Sequence, residues 1–503
     1  MATAQAAPPA PNLYRPRYHF TPNRNWGNDP NGLVYYRGRY HLFFQYNPYG
    51  NSWGHMSWGH ATSRDLVHWK QHAVAIPETQ VMAFSGSAVV DRHNSSGLGV
   101  HGHPPLVALY TGFNPKTLSQ SQYLAYSQDG GTTWKRYGHG PVLDIGSKQF
   151  RDPKVFWYAP TKYWVMAAVR ATRNQVAIYT SPDLTHWTHA STFGPMGARA
   201  TAWECPDLYP MAVAGHPGQV RWVLSVNASN GAPAGGSGTQ YFVGRFDGQH
   251  FTPVQAWGKA PVWLDDGADL YATATWNDIP SKDGRRLLIG WANNLRYAGA
   301  IPGYPERGAM SLPRALTLHR TAKGYRLQQQ PVKELLALRA DHHVLNHVAL
   351  SGRPTSLESA LTDAASSELS LDVSTGSAQQ ILLTLRDAQG YQTVVGVNPA
   401  VNEVFIDRDR AGPHFNDGFG GRQSTHVDMH SGRVHLNIFV DRSIIEVFVD
   451  RGEKTLTDRF FPGSETMRWS IQARGGKAKL VHLDAWRMKP YRPTSDGLPA
   501  VSR

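Results

Sequence analysis

Short apolar runs separated by turn residues dominate the chain, and they alternate at the period of strands. Leu33-Val34-Tyr35-Tyr36, Arg37-Gly38-Arg39 and Tyr40-His41-Leu42-Phe43-Phe44-Gln45-Tyr46 read as a hairpin. The pattern continues through residues 88–90, 106–110, 155–158, 164–169 and 222–226 without any long helical periodicity. One turn recurs within it. Ser63-Arg64-Asp65-Leu66-Val67-His68-Trp69 returns as Ser181-Pro182-Asp183-Leu184-Thr185-His186-Trp187, and Ser127-Gln128-Asp129-Gly130-Gly131-Thr132-Thr133-Trp134 is a third relative. Copies roughly 50 to 65 residues apart predict a repeated four-stranded unit, the period of a propeller blade, and residues 12–320 have room for five. The turns themselves read as structural: Ser and Asp close the backbone through side-chain hydrogen bonds and the Trp packs beneath.

Residues 328–338 read as a linker with a turn or two of helix, after which alternation resumes at 367–373, 380–385, 434–440 and 444–449. Regularly spaced strands over such a stretch favour a β-sandwich. The expected fold is therefore all-β: a disordered segment over 1–12, a five-bladed β-propeller over 13–325, a linker over 326–340, a β-sandwich over 341–490 and a tail over 491–503. His342, His343 and His347 read as linker residues in solvent, because no Cys or carboxylate stands at ligand spacing to make a metal site.

Composition narrows the function. A chain of 503 residues needs more than one core, and 16 Trp, 22 Tyr and 18 Phe with many Gly and Pro favour strands and tight turns. The net charge of +13 invites nucleic acid as a partner, yet no Lys/Arg stripe or RNA-binding signature supports it, so solubility or cell-surface adhesion is its expected use. No apolar run approaches the length of a membrane span. The single cysteine, Cys205, allows no intrachain disulfide, and neither a metal nor a cofactor is expected. The N-terminus lacks a signal region and resembles the start of a mature secreted chain, so a secreted monomer, extracellular or periplasmic, is expected.

Three carboxylates stand in unusual surroundings. Asp29 lies in Asn25-Trp26-Gly27-Asn28-Asp29-Pro30-Asn31-Gly32, where Pro30 biases it away from helix and Asn31-Gly32 signals a turn, which places it at a strand end. Phe150-Arg151-Asp152-Pro153-Lys154 repeats the Asp-Pro device, and the neighbouring Arg151 is expected to keep Asp152 ionised. Glu204, in Ala202-Trp203-Glu204-Cys205-Pro206-Asp207, has apolar neighbours that would raise its pKa as a general acid requires. Spacings of about two blades and one let the three converge at one rim of a propeller. An ionised Asp, a protonated Glu and aromatic walls make a glycosidase site. The plainer alternative is three satisfied turn residues.

Trp26-Gly27-Asn28-Asp29-Pro30-Asn31-Gly32, Phe84-Ser85-Gly86-Ser87, Arg151-Asp152-Pro153-Lys154, Glu204-Cys205-Pro206-Asp207 and Asp441-Arg442-Ser443-Ile444-Ile445-Glu446-Val447-Phe448 resemble, in order, the motifs of glycoside hydrolase family 32, the fructan hydrolases and invertases. The resemblance implies a retaining, cofactor-free hydrolase that removes terminal β-fructose from levan, inulin or sucrose. It implies Asp29 as nucleophile, Glu204 as general acid and base, and Asp152 as transition-state stabiliser. Asn28, Gln45, Trp53, Phe84, Ser85, Arg151 and Trp291 would line the fructose pocket. Gly27 and Ala315 depart from the family's usual Met and Glu. A sucrose-specific invertase, an endo-acting levanase, a fructosyltransferase and a silent carbohydrate-binding protein remain as alternatives.

Overall fold

The computed structural model describes residues 13–100, 102–254, 261–303, 305–361, 363–429 and 431–491. The start and tail expected over 1–12 and 491–503 lie outside them, apart from Tyr491, whose N–H donates to the Arg17 carbonyl at 2.7 Å. Every long element among the described residues is a strand, joined by short 3-10 turns.

The first unit is the antiparallel run Asn25–Tyr36, Arg39–Tyr46, Ser57–Ser63, Trp69–Gln71. Its hairpin turns on Arg37 and Gly38, both left-handed (φ 47° and 77°), the two-residue turn whose twist suits flanking strands. Four further units of four strands follow, beginning with Met82–Val90, Phe150–Tyr158, Trp203–Val213 and Tyr271–Thr275. The first strand of each unit touches that of the next, and the fifth touches the first.

A separate apolar layer fills each gap between units. Val34, Phe43 and Trp58 pack on Ala88, Leu106 and Tyr110, and Leu33, Leu42 and Phe44 meet Trp276, Leu287 and Ile289 across the gap between first and last. Between third and fourth, Val165 and Ile178 face Leu208 and Phe242. These strands are covered on both faces, which is why their sequences read as continuous apolar runs rather than alternating ones.

The repeated turns join the third and fourth strands of the first three units. Asp65, Asp129 and Asp183 each accept the preceding Ser hydroxyl (3.0, 2.7 and 3.2 Å) and two backbone N–H groups beyond. A fourth copy escaped the sequence pattern: Asp247 accepts from the N–H groups of Gln249 (2.8 Å) and His250 (2.7 Å) at the same corner of the fourth unit. Arg245 and Phe251 stand there in place of Ser and Trp.

Residues 326–340 begin inside the strand Gly324–Pro331, pass through the 3-10 helix Lys333–Leu338 and enter Arg339–Leu350. That last strand carries His342, which pairs with Asp484 (2.7 Å) and stacks on Trp486 (4.8 Å between centroids). The histidines expected in a linker thus belong to a sheet. Beyond lie two six-stranded antiparallel sheets around one apolar core, a β-sandwich.

The two halves are joined by buried charge. Arg314 donates to Asp265 (3.1 Å) and Glu446 (2.8 Å), and all three side chains are at most 3% exposed. Glu446 also meets the His19 ring (3.2 Å) and the Leu312 N–H (2.7 Å). Asp441 accepts the backbone N–H groups of Arg17, Tyr18 and His19 at 2.6 to 2.9 Å, strapping the start of the described chain across the junction.

Candidate active site

All five inner strands break register at one level. The ladder shifts between Gly27 and Pro30, between Ala83 and Gly86, opposite Asp152-Pro153, between Glu204 and Asp207, and between Tyr271 and Ala274. Pro30, Pro153 and Pro206 lack an N–H and are confined to such bulges within a sheet. Asp152, Cys205 and Ala272 sit there in the left-handed region, with φ of 62°, 42° and 50°. Each bulge re-aims one or two side chains toward the common axis without disturbing the packing behind.

Asn31-Gly32, expected as a turn with Asp29 at a strand end, lies instead inside the strand Asn25–Tyr36, at a second register shift. Gly32 has φ 53°, and a Cβ there would stand 2.5 Å from the Phe43 ring and 2.7 Å from Trp58, so glycine answers both backbone and space. At Gly27 space alone decides: a Cβ would meet Pro22 Cγ at 2.6 Å.

The re-aimed side chains meet in a cavity of about 520 Å³, within the range of ligand pockets. Every residue expected in the site lines it: Asn28, Asp29, Gln45, Trp53, Phe84, Ser85, Arg151, Asp152, Glu204 and Trp291. The acids are tied together through one residue. Cys205 gives its thiol to Asp29 Oδ2 (3.5 Å) and its N–H to Asp152 Oδ2 (2.9 Å), and it adjoins Glu204 in the chain. Asp29 also accepts from Ser85 Oγ (2.6 Å) and Asn28 Nδ2 (3.0 Å), and Asn28 is fixed in turn by the Trp26 indole (2.7 Å). A second, much smaller cavity lies beside the acids, lined by Asp152 and Cys205 among others. It holds about 30 Å³, around Pro30, Pro153 and Pro206.

Two electrostatic expectations need correction. Asp152 was expected to stay ionised beside Arg151, but burial outweighs that cation and pushes its pKa up to about 7. The guanidinium stands 3.9 Å from Asp152 and turns to Glu204, which it meets at 3.0 Å. Glu204 is accordingly not in an apolar setting: its other oxygen accepts the Tyr271 hydroxyl. Asp29 is also raised, chiefly by burial and also by the charge of Glu204, with the Ser85, Asn28 and Cys205 hydrogen bonds opposing.

These shifts have a stability consequence. Asp152 and Asp458 titrate near 7 in the fold against an ordinary 3.8, so the native state holds protons that the unfolded chain has lost, and stability is surrendered as pH rises through that window. His19, raised by Asp441 and Glu446 against the opposing effect of burial, acts in the same direction. His41, His60 and His72, held below the ordinary imidazole value chiefly by burial, act in the opposite direction. The Asp152 contribution is therefore read by comparison: the unfolding midpoint of the wild type is expected to fall relative to that of Asp152→Asn as pH rises from about 5 to about 8, and a constant difference would contradict the assignment.

Aromatic rings line the walls. Phe84 stacks on Phe113 (4.8 Å, 15°) and meets the rim residue Trp53, 54% exposed, edge-on at 6.0 Å. Trp26 meets Trp291 at 5.9 Å. Sequence reasoning missed Trp26, Phe113, Gln120, Gln149 and Tyr271 as lining residues. Gln149 was within reach, two positions before Arg151, to which it is bonded at 2.8 Å. Tyr271 carried no signal, since its bulge has neither proline nor glycine. Among the described residues no His, Cys, Asp or Glu cluster is arranged to hold a metal.

The profile described as Glycosyl hydrolases family 32 N-terminal domain matches residues 19–331, and that for the family 32 C terminal matches 334–487. A levanase of Bacillus subtilis (strain 168) is 43% identical over 97% of this chain and 73% of its own length. An extracellular exo-inulinase of Aspergillus ficuum is 39% identical over 94% of each chain. The crystal structure of an exo-inulinase from Aspergillus awamori superposes with a TM-score of 0.88 at 36% identity, covering 95% of this chain and 99% of that one.

Proposed function

The chain belongs to glycosyl hydrolase family 32, and from that premise we propose that it releases terminal β-fructose from fructans, and from sucrose, by double displacement. Asp29 attacks the anomeric carbon and Glu204 protonates the leaving oxygen. Water, deprotonated by Glu204, then frees the sugar from the covalent fructosyl-enzyme. Asp152 and Arg151 hold ring hydroxyls and steady the oxocarbenium-like centre. The observation that carries this reading is the tie of all three acids through residues 204–205 at the floor of one cavity. Retention requires the Asp29 and Glu204 carboxyls about 5 to 5.5 Å apart, since an inverting pair needs room for water between them.

The smaller cavity favours action on chain ends. The space around Pro30, Pro153 and Pro206 is about 30 Å³, too little for a sugar ring to thread through, and a terminal sugar entering from the Trp53 rim suits a site closed at that end. A five-bladed propeller is the architecture that cyclic contact of the inner strands supports. Secretion is the compartment in which a polymeric substrate would be met.

Time-resolved products from levan, inulin and sucrose test the proposal. Free fructose is expected from the first time points with all three. Early oligosaccharides with little fructose would overturn end-wise action, and fructosylated acceptors as the main product would reassign the enzyme as a transferase.

A further inference from the structure

The second domain pairs its backbone with a segment of the first that leads into the cavity strand Tyr271–Thr275. Its strand Lys454–Arg459 runs along residues 264–269 of the first domain: Asp266 and Asp269 donate their N–H groups to the carbonyls of Thr455 (2.9 Å) and Thr457 (2.8 Å). Gly267 permits this approach, because a Cβ would lie 2.2 Å from the Thr457 nitrogen. The Asp269 carboxylate is gripped from three sides, by Arg408 Nη1 (2.5 Å), the Arg459 N–H (2.8 Å) and the Tyr297 hydroxyl (2.6 Å). Arg408 bonds Tyr297 as well, at 2.8 Å. Asp269 and Arg408 are at most 1% exposed.

Two residues beyond Asp269 stands Tyr271, whose hydroxyl donates to Glu204. Its cross-strand partner is Trp291, and the next carbonyl, that of Ala292, accepts from Arg459 Nη1 at 3.2 Å. The pair of strands bearing these two cavity residues is therefore pinned just outside both by the same sandwich strand.

We propose that Arg408, with Tyr297 and through Asp269, is a positioning residue that holds the Tyr271 hydroxyl on Glu204, so that the β-sandwich sets the proton-transfer geometry of the active site. The inference rests on Glu204 being the acid and base. A misplacement of about 1 Å at a reacting group can cost around a hundredfold in rate, so a buried ionic clamp two residues away has ample leverage.

The test is the pH dependence of kcat/KM on sucrose for Tyr271→Phe, Tyr297→Phe and the double variant, with Arg408→Met and Arg408→Lys beside them. Tyr271→Phe is expected to lower kcat about tenfold and to displace the alkaline limb, which reports the group that must be protonated. Tyr297→Phe, which removes one hydroxyl and keeps the ring, should displace that limb in the same direction. In the double variant it should add nothing to the effect of Tyr271→Phe. Arg408→Lys should recover part of what Arg408→Met loses. The proposal is overturned if Tyr297→Phe lowers the unfolding midpoint while leaving the limb in place, if the two effects add fully, or if Tyr271→Phe leaves the limb unmoved. Near-wild-type turnover in Glu204→Ala would instead sink the acid/base reading on which it stands.

Discussion

Asp29→Ala is expected to reduce kcat on sucrose by about 10⁴- to 10⁶-fold, the scale on which loss of a nucleophile is felt when its partners survive. The substitution removes the carboxylate that Ser85, Asn28 and Cys205 surround, and leaves a space lined by donors that a small anion can enter. Azide or formate should therefore restore part of the turnover, and the rescued azide product should carry inverted anomeric configuration, since one displacement replaces two. Glu204→Ala should behave differently. A fructoside with a nitrophenolate leaving group needs no acid, so its fructosyl-enzyme should still form and then accumulate. A wild-type rate on sucrose in either variant would reject the assigned roles.

The largest structural loss is expected at Arg314. Arg314→Ala would strand Glu446 and Asp265 in a fully buried site, and breaking a buried pair from one side costs about 3 to 5 kcal/mol. Arg314 also donates to Gln329 (2.8 Å), and its guanidinium lies over the Phe448 ring (5.1 Å), so the packing of both domains loosens together. A denaturant titration should show an earlier midpoint for both halves. An unchanged midpoint would mean that the network contributes little. The neighbouring Ala315 pairs with Leu287 and Gln330 on the flanking strands and packs against the apolar layer that holds Leu33 and Trp276.

How much of this was legible beforehand depended on whether a local rule governed each feature. The hairpin at Arg37-Gly38 and the Ser-x-Asp corners follow from turn chemistry, and the strands from their apolar runs. The Asp-Pro pairs marked Asp29 and Asp152 as unusual because proline has no place in an inner strand unless the ladder is broken there. Turn chemistry alone is ambiguous at Asn31-Gly32: a left-handed glycine fits a bulge as well as a turn, and Phe43 and Trp58, brought from other strands, decide between them. Asp152 shows the limit for electrostatics. Its neighbour in sequence is a cation, but its proton affinity is set by burial among residues drawn from three units. Tyr271 lay beyond reach altogether, since nothing local distinguishes it from any strand tyrosine.

The strap across the junction bears on how the molecule is made. Arg17, Tyr18 and His19 are held by Asp441, 424 to 422 positions later, and the strand carrying Asp29 pairs with Glu306–Arg307. A ribosome delivers the chain in the opposite sense, Asp29 first and anchors last. The earliest strand lacks its seam partner until Glu306–Arg307 emerges, and the segment before it lacks its clasp until Asp441 does. In a coupled translation assay, nascent chains stalled short of that point should hydrolyse no sucrose, and turnover should begin only as the last strands leave the exit tunnel.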